Sequence, residues 1–218
     1  NSKIRNMIKA MILAAAALTM GTAADAQTMI QKNDIKVENH LMTPEALWAM
    51  GRIGGAEASP NGKQVVYQVG YYSVKENKGH QMLFIMDANG KNQKALTTDA
   101  KSETDAAWIQ GGQKIAFIRD GQLWSMNPDG TDRKQLTNDK LGIQGFRFSP
   151  DGKKVILIKE LPYHGTIKEN PSDLPLATGR LVTDMNYRHW DHYVESLLHP
   201  FVADVAEDGT INAGEDIL

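Results

Sequence analysis

The densest group of residues able to do chemistry is Tyr187-Arg188-His189-Trp190-Asp191-His192, with His199 a little further on. Imidazoles and a carboxylate could hold a metal, provided three or four of them converge on one point. A three-residue spacing between histidines is common, however, and Asp191 could equally orient a ring. A packed, hydrogen-bonded loop is therefore the preferred reading, and no metal is expected. Tyr187, Arg188, Trp190 and Asp191 suggest a second chemistry. A guanidinium set among aromatics and a carboxylate can anchor a peptide terminus or carboxylate through paired hydrogen bonds. The competing reading is an internal Arg–Asp pair that ties the loop to its neighbouring strands. These four residues are carried forward as substrate-binding candidates.

The rest of the chemistry is defined by absences. There is no G-x-S-x-G, so no nucleophile elbow. Neither G-x-x-x-x-G-K-[ST] nor G-x-G-x-x-G occurs, so no phosphate cradle is present and no cofactor is expected. Without cysteine there is no thiol nucleophile and no thiolate metal site. Asn127-Pro128-Asp129-Gly130-Thr131-Asp132 faintly resembles a calcium loop but lacks the later bidentate glutamate. Its counterpart Asp87-Ala88-Asn89-Gly90-Lys91-Asn92 puts a lysine where a ligand would be needed. Both read as hairpin turns. No catalytic residue is assigned in this chain.

These residues are positioned by a repeat. Leu83-Phe84-Ile85-Met86-Asp87-Ala88-Asn89-Gly90 leads to Ala95-Leu96-Thr97, and forty residues later Leu123-Trp124-Ser125-Met126-Asn127-Pro128-Asp129-Gly130 leads to Gln135-Leu136-Thr137. Ser59-Pro60-Asn61-Gly62-Lys63 recurs as Ser149-Pro150-Asp151-Gly152-Lys153, each followed by an apolar strand. Gly111-Gly112-Gln113-Lys114 fills the intermediate place. Short strands and glycine-bearing turns at this period describe the blades of a β-propeller. The expected fold is all-β. About three blades form an incomplete ring at about 57–98, 104–138 and 145–210. Ile115–Ile118 and Val155–Ile158 are almost continuously apolar, as suits strands covered on both faces. The third blade is interrupted by an excursion at 160–199 holding four of the six histidines, and loops this long are usually functional or disordered.

Ahead of the blades, 27–56 reads as a lead-in with a short helix. Thr43 is its N-cap, Pro44 its first residue and Glu45 lies at the positive end of its dipole. Leu47, Trp48 and Met50 supply its apolar side, and Gly51 stops it. Residues 1–26 read as a secretory signal peptide. Lys3, Arg5 and Lys9 precede an apolar run from Ala10 to Met20, and Ala24-Asp25-Ala26 precedes Gln27 as the cleavage site. Export to the periplasm or outside the cell follows as an expectation. The apolar run is too short for a permanent membrane anchor. A net charge of −2 without a basic stripe argues against nucleic acid as a partner. Propellers usually close with four to eight blades, so three blades are expected to be the front of a longer protein.

At this point a resemblance enters. Leu41-Met42-Thr43-Pro44-Glu45-Ala46-Leu47-Trp48, the run to Ser59-Pro60-Asn61-Gly62-Lys63, and Met185-Asn186-Tyr187-Arg188-His189-Trp190-Asp191 followed by His199-Pro200-Phe201-Val202 resemble bacterial prolyl oligopeptidase-family serine peptidases. The likeness is to their dipeptidyl-peptidase and acylaminoacyl-peptidase-like branch, and it covers most of 41–210. It implies a propeller that gates substrate access to a C-terminal α/β-hydrolase domain carrying a Ser-Asp-His triad. The implied activity is release of dipeptides from oligopeptide N-termini. The implied partners are the oligopeptide and the hydrolase domain, with a second copy of the chain as a further candidate. Well-known dipeptidyl peptidases hold the substrate amine with adjacent acidic residues. This chain has no Glu-Glu pair, so that role is not carried over. The alternative is a TolB-like periplasmic propeller that binds a protein partner without catalysis.

Overall fold

The computed structural model describes residues 29–35, 37, 41–162 and 196–218, and the backbone of four two-residue strands between 167 and 193. Among the described residues one short helix, α1 (Pro44–Ala49), precedes three four-stranded antiparallel sheets. The first sheet is β1 (Arg52–Ala58), β2 (Gln64–Ser73), β3 (Lys78–Asp87) and β4 (Lys94–Ala95), in that order across the sheet. The second is β5 (Glu103–Ile109), β6 (Lys114–Arg119), β7 (Gln122–Met126) and β8 (Lys134–Gln135), again in chain order. The third is β9 (Gly145–Phe148), β10 (Lys154–Pro162), β15 (Ser196–Asp204) and β16 (Glu215–Asp216). Between β10 and β15 lie the pairs β11 (Ile167–Lys168) with β12 (Leu181–Val182), and β13 (Arg188–His189) with β14 (His192–Tyr193). The described chain is nearly all β, as the repeat predicts, and the three sheets do not close into a ring.

The recurring sequence produces recurring geometry. In the first sheet the Ser59 hydroxyl donates to Asn61 Oδ1 at 2.8 Å and accepts from Gln64 N at 2.9 Å. In the third sheet Ser149 donates to Asp151 Oδ1 at 2.6 Å and accepts from Lys154 N at 3.0 Å. Gly62 and Gly152 both take φ +68°, the left-handed region that a side chain disfavours. At the outer edge, Leu83 N donates to Thr97 Oγ1 at 2.8 Å and Leu123 N to Thr137 Oγ1 at 2.9 Å. A buried amide that would lose its ladder partner beyond a two-residue strand is thereby satisfied.

Packing follows from which faces are covered. Ile115, Phe117 and Met126 of the middle sheet meet Val66, Leu83 and Ile85 of the first. Ala116, Ile118 and Leu123 point the other way, into a cluster with Val155, Leu157 and Ala203 of the third. With a sheet on either side, Ile115 through Ile118 are all buried, as their unbroken apolar run predicts. Val155–Ile158 behaves differently. Val155 and Leu157 are buried but Ile156 is 42% exposed, because no described element covers that face.

Two boundaries and one buried face differ from the reading of the sequence alone. The first sheet starts at Arg52, within the stretch assigned to the lead-in. The third-sheet ladder runs without a break from Lys154↔Asp204 to Pro162↔Ser196, so it takes in both ends of the excursion. In α1 the Thr43 hydroxyl accepts from Ala46 N at 3.2 Å, as its N-cap reading requires. The buried side chain, however, is Ala46, while Leu47, Trp48 and Met50 are exposed. A small residue lets the helix lie close on the sheet. Trp48 instead stands edge-on to Tyr72 at 5.7 Å, with the Arg52 guanidinium 5.0 and 4.7 Å from the two ring centres.

Candidate functional site

Antiparallel order fixes two ends for each sheet. The β1–β2, β3–β4, β5–β6, β7–β8, β9–β10 and β15–β16 turns lie at one end. The β2–β3 and β6–β7 turns and the root of the excursion lie at the other. Charged side chains bridge neighbouring sheets at both ends, and the bridges repeat with the sequence.

At the excursion end, Asp99 follows the first sheet and accepts from Arg119 Nη2, at the end of β6, at 2.7 Å. Forty residues later Asp139 follows the second sheet and accepts from Lys159 Nζ, in β10, at 2.5 Å. Each cation also lies near an aromatic ring of the adjacent strand: Arg119 is 6.0 Å from the Trp124 centroid and Lys159 is 4.2 Å from that of Phe201. The surroundings differ. Fully buried Glu103 accepts from Arg119 Nη1 at 2.8 Å, from Arg133 Nη2 at 2.7 and 2.8 Å, and from Thr97 Oγ1 at 2.8 Å. Two carboxylates thus balance two guanidiniums. Position 143, forty residues after Glu103, is a buried isoleucine, so Lys159 has one carboxylate and completes its shell at the Ala213 carbonyl. Burial pushes the Asp99 carboxyl up, but hydrogen bonds from Arg119 and Lys101 N and the nearby guanidinium charges outweigh it, leaving it below the ordinary value. Burial likewise disfavours the Arg119 cation, yet Asp99 and Glu103 raise it further above its usual value.

At the turn end, Lys94 Nζ donates to the Asp129 carbonyl at 2.6 Å, and Lys134 Nζ, forty residues on, to the Asp208 carbonyl of the third sheet. The carboxylates of these turns are engaged within the turn. Asp129 Oδ1 accepts from Thr131 Oγ1 and N, and Asp208 Oδ1 from Thr210 Oγ1 and N, which hold both acids below the ordinary range. The supposed calcium loop is thus a closed hairpin turn. Between the second and third sheets a groove of about 1150 Å³ opens at this end, walled by Leu136, Phe146, Phe148 and Val205.

The residues singled out from sequence fall largely elsewhere. Tyr187, Trp190 and Asp191 lie outside the described residues, as do the signal peptide and its Ala26/Gln27 cleavage site. Of Arg188 only the backbone is described, opposite Tyr193, with His189 opposite His192. His199 hydrogen-bonds Asp216 Oδ2 at 2.9 Å. Among the described residues no cluster of three or more His, Asp or Glu side chains suits a metal. The inter-sheet bridges were missed in the sequence. The signal was available: an acid at 99 and 139 and a base at 119 and 159, each at the repeat distance.

Comparison with known proteins agrees with this geometry. Over 185 residues the chain is 40% identical to dipeptidyl-peptidase 5 of Porphyromonas endodontalis, a match covering 83% of the chain and 27% of the relative. Over 222 aligned positions it is 39% identical to dipeptidyl-peptidase 5 of Porphyromonas gingivalis, covering all of the chain and 31% of the relative. The chain thus spans about a third or less of the length of these two relatives. No protein-family model matches. Among solved structures, the Pyrococcus horikoshii acylaminoacyl peptidase superposes with a TM-score of 0.55 at 14% identity, over 78% of this chain and 26% of that one. At that identity the likeness speaks for the fold.

Proposed function

Because this chain is the N-terminal propeller part of a dipeptidyl-peptidase-like protein, we propose that it gates substrate access in an exported serine exopeptidase releasing dipeptides from oligopeptide N-termini. The observation that carries this reading is identity near 40% along the chain to two proteins named for that activity. The geometry supports it through sheets bridged at both ends, which supply the wall that a gate needs. The catalytic serine, aspartate and histidine belong, on this reading, to an α/β-hydrolase domain in the remainder of the protein. The oligopeptide and that domain are the partners, with a second copy of the chain as a further candidate, and the location is periplasmic or extracellular.

The test uses the complete protein encoded around this chain. It should cleave chromogenic dipeptidyl amides with a free amino terminus, lose that activity on N-acetylation of the substrate, and label with a serine-directed fluorophosphonate. The 218-residue chain alone should do neither. A complete protein that neither labels nor cleaves would leave the non-catalytic, partner-binding propeller as the better reading.

A further inference from the structure

One buried side chain joins three separate stretches of the chain. His80, in β3, is only 2% exposed. Its Nδ1 lies 2.6 Å from the Ile30 carbonyl of the lead-in, and its Nε2 lies 3.2 Å from the Lys101 carbonyl. Lys101 belongs to the connection from β4 to β5, which also supplies Asp99 to the first seam. Ile30 is itself buried, so the lead-in is anchored at this point. Carbonyl oxygens only accept, whereas a neutral imidazole has a single N–H. The uncharged ring can therefore satisfy one of the two carbonyls, and its remaining lone pair then faces the other oxygen. The imidazolium donates to both.

Burial works against the cation, and two bonds from a charged donor work for it. The charged groups on the surrounding elements are engaged elsewhere: Lys32 with Asp34 in the lead-in at 2.9 Å, Asp99 with Arg119, and Lys101 with Asp120 at 2.5 Å. Tyr71 lies opposite His80 in β2, Lys78 begins β3, and Lys75 and Glu76 of the β2–β3 turn are exposed beside the lead-in. Among the described residues no carboxylate bonds the ring, so the two carbonyls hold it. We propose that His80 is a pH-sensitive clasp: charged, it holds the lead-in and the β4–β5 connection together, and neutral, it lets the connection go. In the neutral ring the proton stays on Nδ1, because the Ile30 contact is the shorter and the more deeply buried. The clasp is complete in acid and loses its Lys101 half as pH rises.

The test follows hydrogen exchange by mass spectrometry in the complete protein encoded around this chain. It compares about pH 5 with about pH 8.5, either side of the ordinary imidazole value of about 6.5. Rates are corrected for the pH dependence of unprotected amides. Protection over 97–102 should fall about tenfold at the higher pH, the worth of one hydrogen bond to a charged group. Protection over 29–35 should fall less. His80→Gln, which cannot gain a charge, should show no such fall. Protection that is independent of pH, that falls mainly over 29–35, or whose fall survives in His80→Gln overturns the clasp. If the variant does not fold, nitrogen NMR of selectively labelled histidine in the wild type decides. His80 should carry protons on both ring nitrogens at the lower pH and on Nδ1 alone at the higher, and an unchanged ring overturns the proposal.

Discussion

The seam between the first and second sheets and the seam between the second and third start from the same repeat and end with different chemistry. Both carry an aspartate from the preceding connection against a cation from the next sheet's second strand, and both carry a lysine reaching the next hairpin turn. In the first seam Glu103 adds a second carboxylate and Arg133 a second guanidinium, and Val66 and Ile85 fill the apolar space. In the second, a single Lys159–Asp139 pair closes the excursion end, while Ala116 and Ser125 leave the turn end open. A repeat therefore preserves the bridges that set the spacing of sheets and leaves the filling free to vary. Space between the sheets opens where the filling is reduced.

The largest effect should come from the hub of the first seam. Glu103→Ala leaves two guanidiniums facing a site from which water is largely excluded, and breaking a buried pair from one side costs about 3–5 kcal/mol. The midpoint of denaturant unfolding should fall accordingly. A loss as small as that of an exposed pair would mean that Asp99 and Thr97 suffice, and the contrast between the seams would collapse. Next comes Lys159→Met, which strands Asp139 and should cost roughly 3 kcal/mol on the same rule. The double variant Lys159→Met/Asp139→Leu should recover most of that, because it removes both charges together. Recovery would show that the second seam needs complementarity there rather than charge. The serine turns come third. Ser59→Ala and Ser149→Ala should each cost about 1 kcal/mol, the second the more, since Ser149 donates to the Asp151 carboxylate where Ser59 donates to the neutral Asn61 amide.

What could be read in the sequence was local. The Ser-Pro-Asx-Gly-Lys and Asp-Gly turns, the Thr43-Pro44 helix start and the two-sided burial of Ile115–Ile118 each depend on a few adjacent residues. Each is found in the structure. The bridges were harder to see because their partners are about twenty residues apart and meet only when one sheet lies on the next. Ile156 shows the same limit: an apolar run reports that a strand suits burial on both faces, whereas its exposure depends on whether a neighbouring sheet is there. Leu47, Trp48 and Met50 failed as a predicted apolar face because a six-residue helix can dock through one alanine. Of the predicted site, Tyr187, Trp190 and Asp191 lie outside the described residues.

The smallest effect concerns pH and separates the seams once more. Asp99 is held below its ordinary value, so its contribution is fully present above the unfolded carboxyl pKa of about 3.9 and is lost as pH falls through the lower folded value. Arg119 is raised from a value already far above this window, so it keeps its charge throughout. Wild type and Asp99→Asn should therefore differ in unfolding midpoint by a constant amount from pH 7 down to about 5, and converge below about 4. Asp99 is half-exposed, which keeps the difference small and makes it shrink in salt. A wild type less stable than Asp99→Asn at neutral pH, with the gap closing on acidification, would instead mean that the asparagine relieves repulsion from Glu103, and that Arg119 is held by Glu103 alone. The first seam would then have one carboxylate on its cation, as the second does, and the distinction between them would rest on packing only.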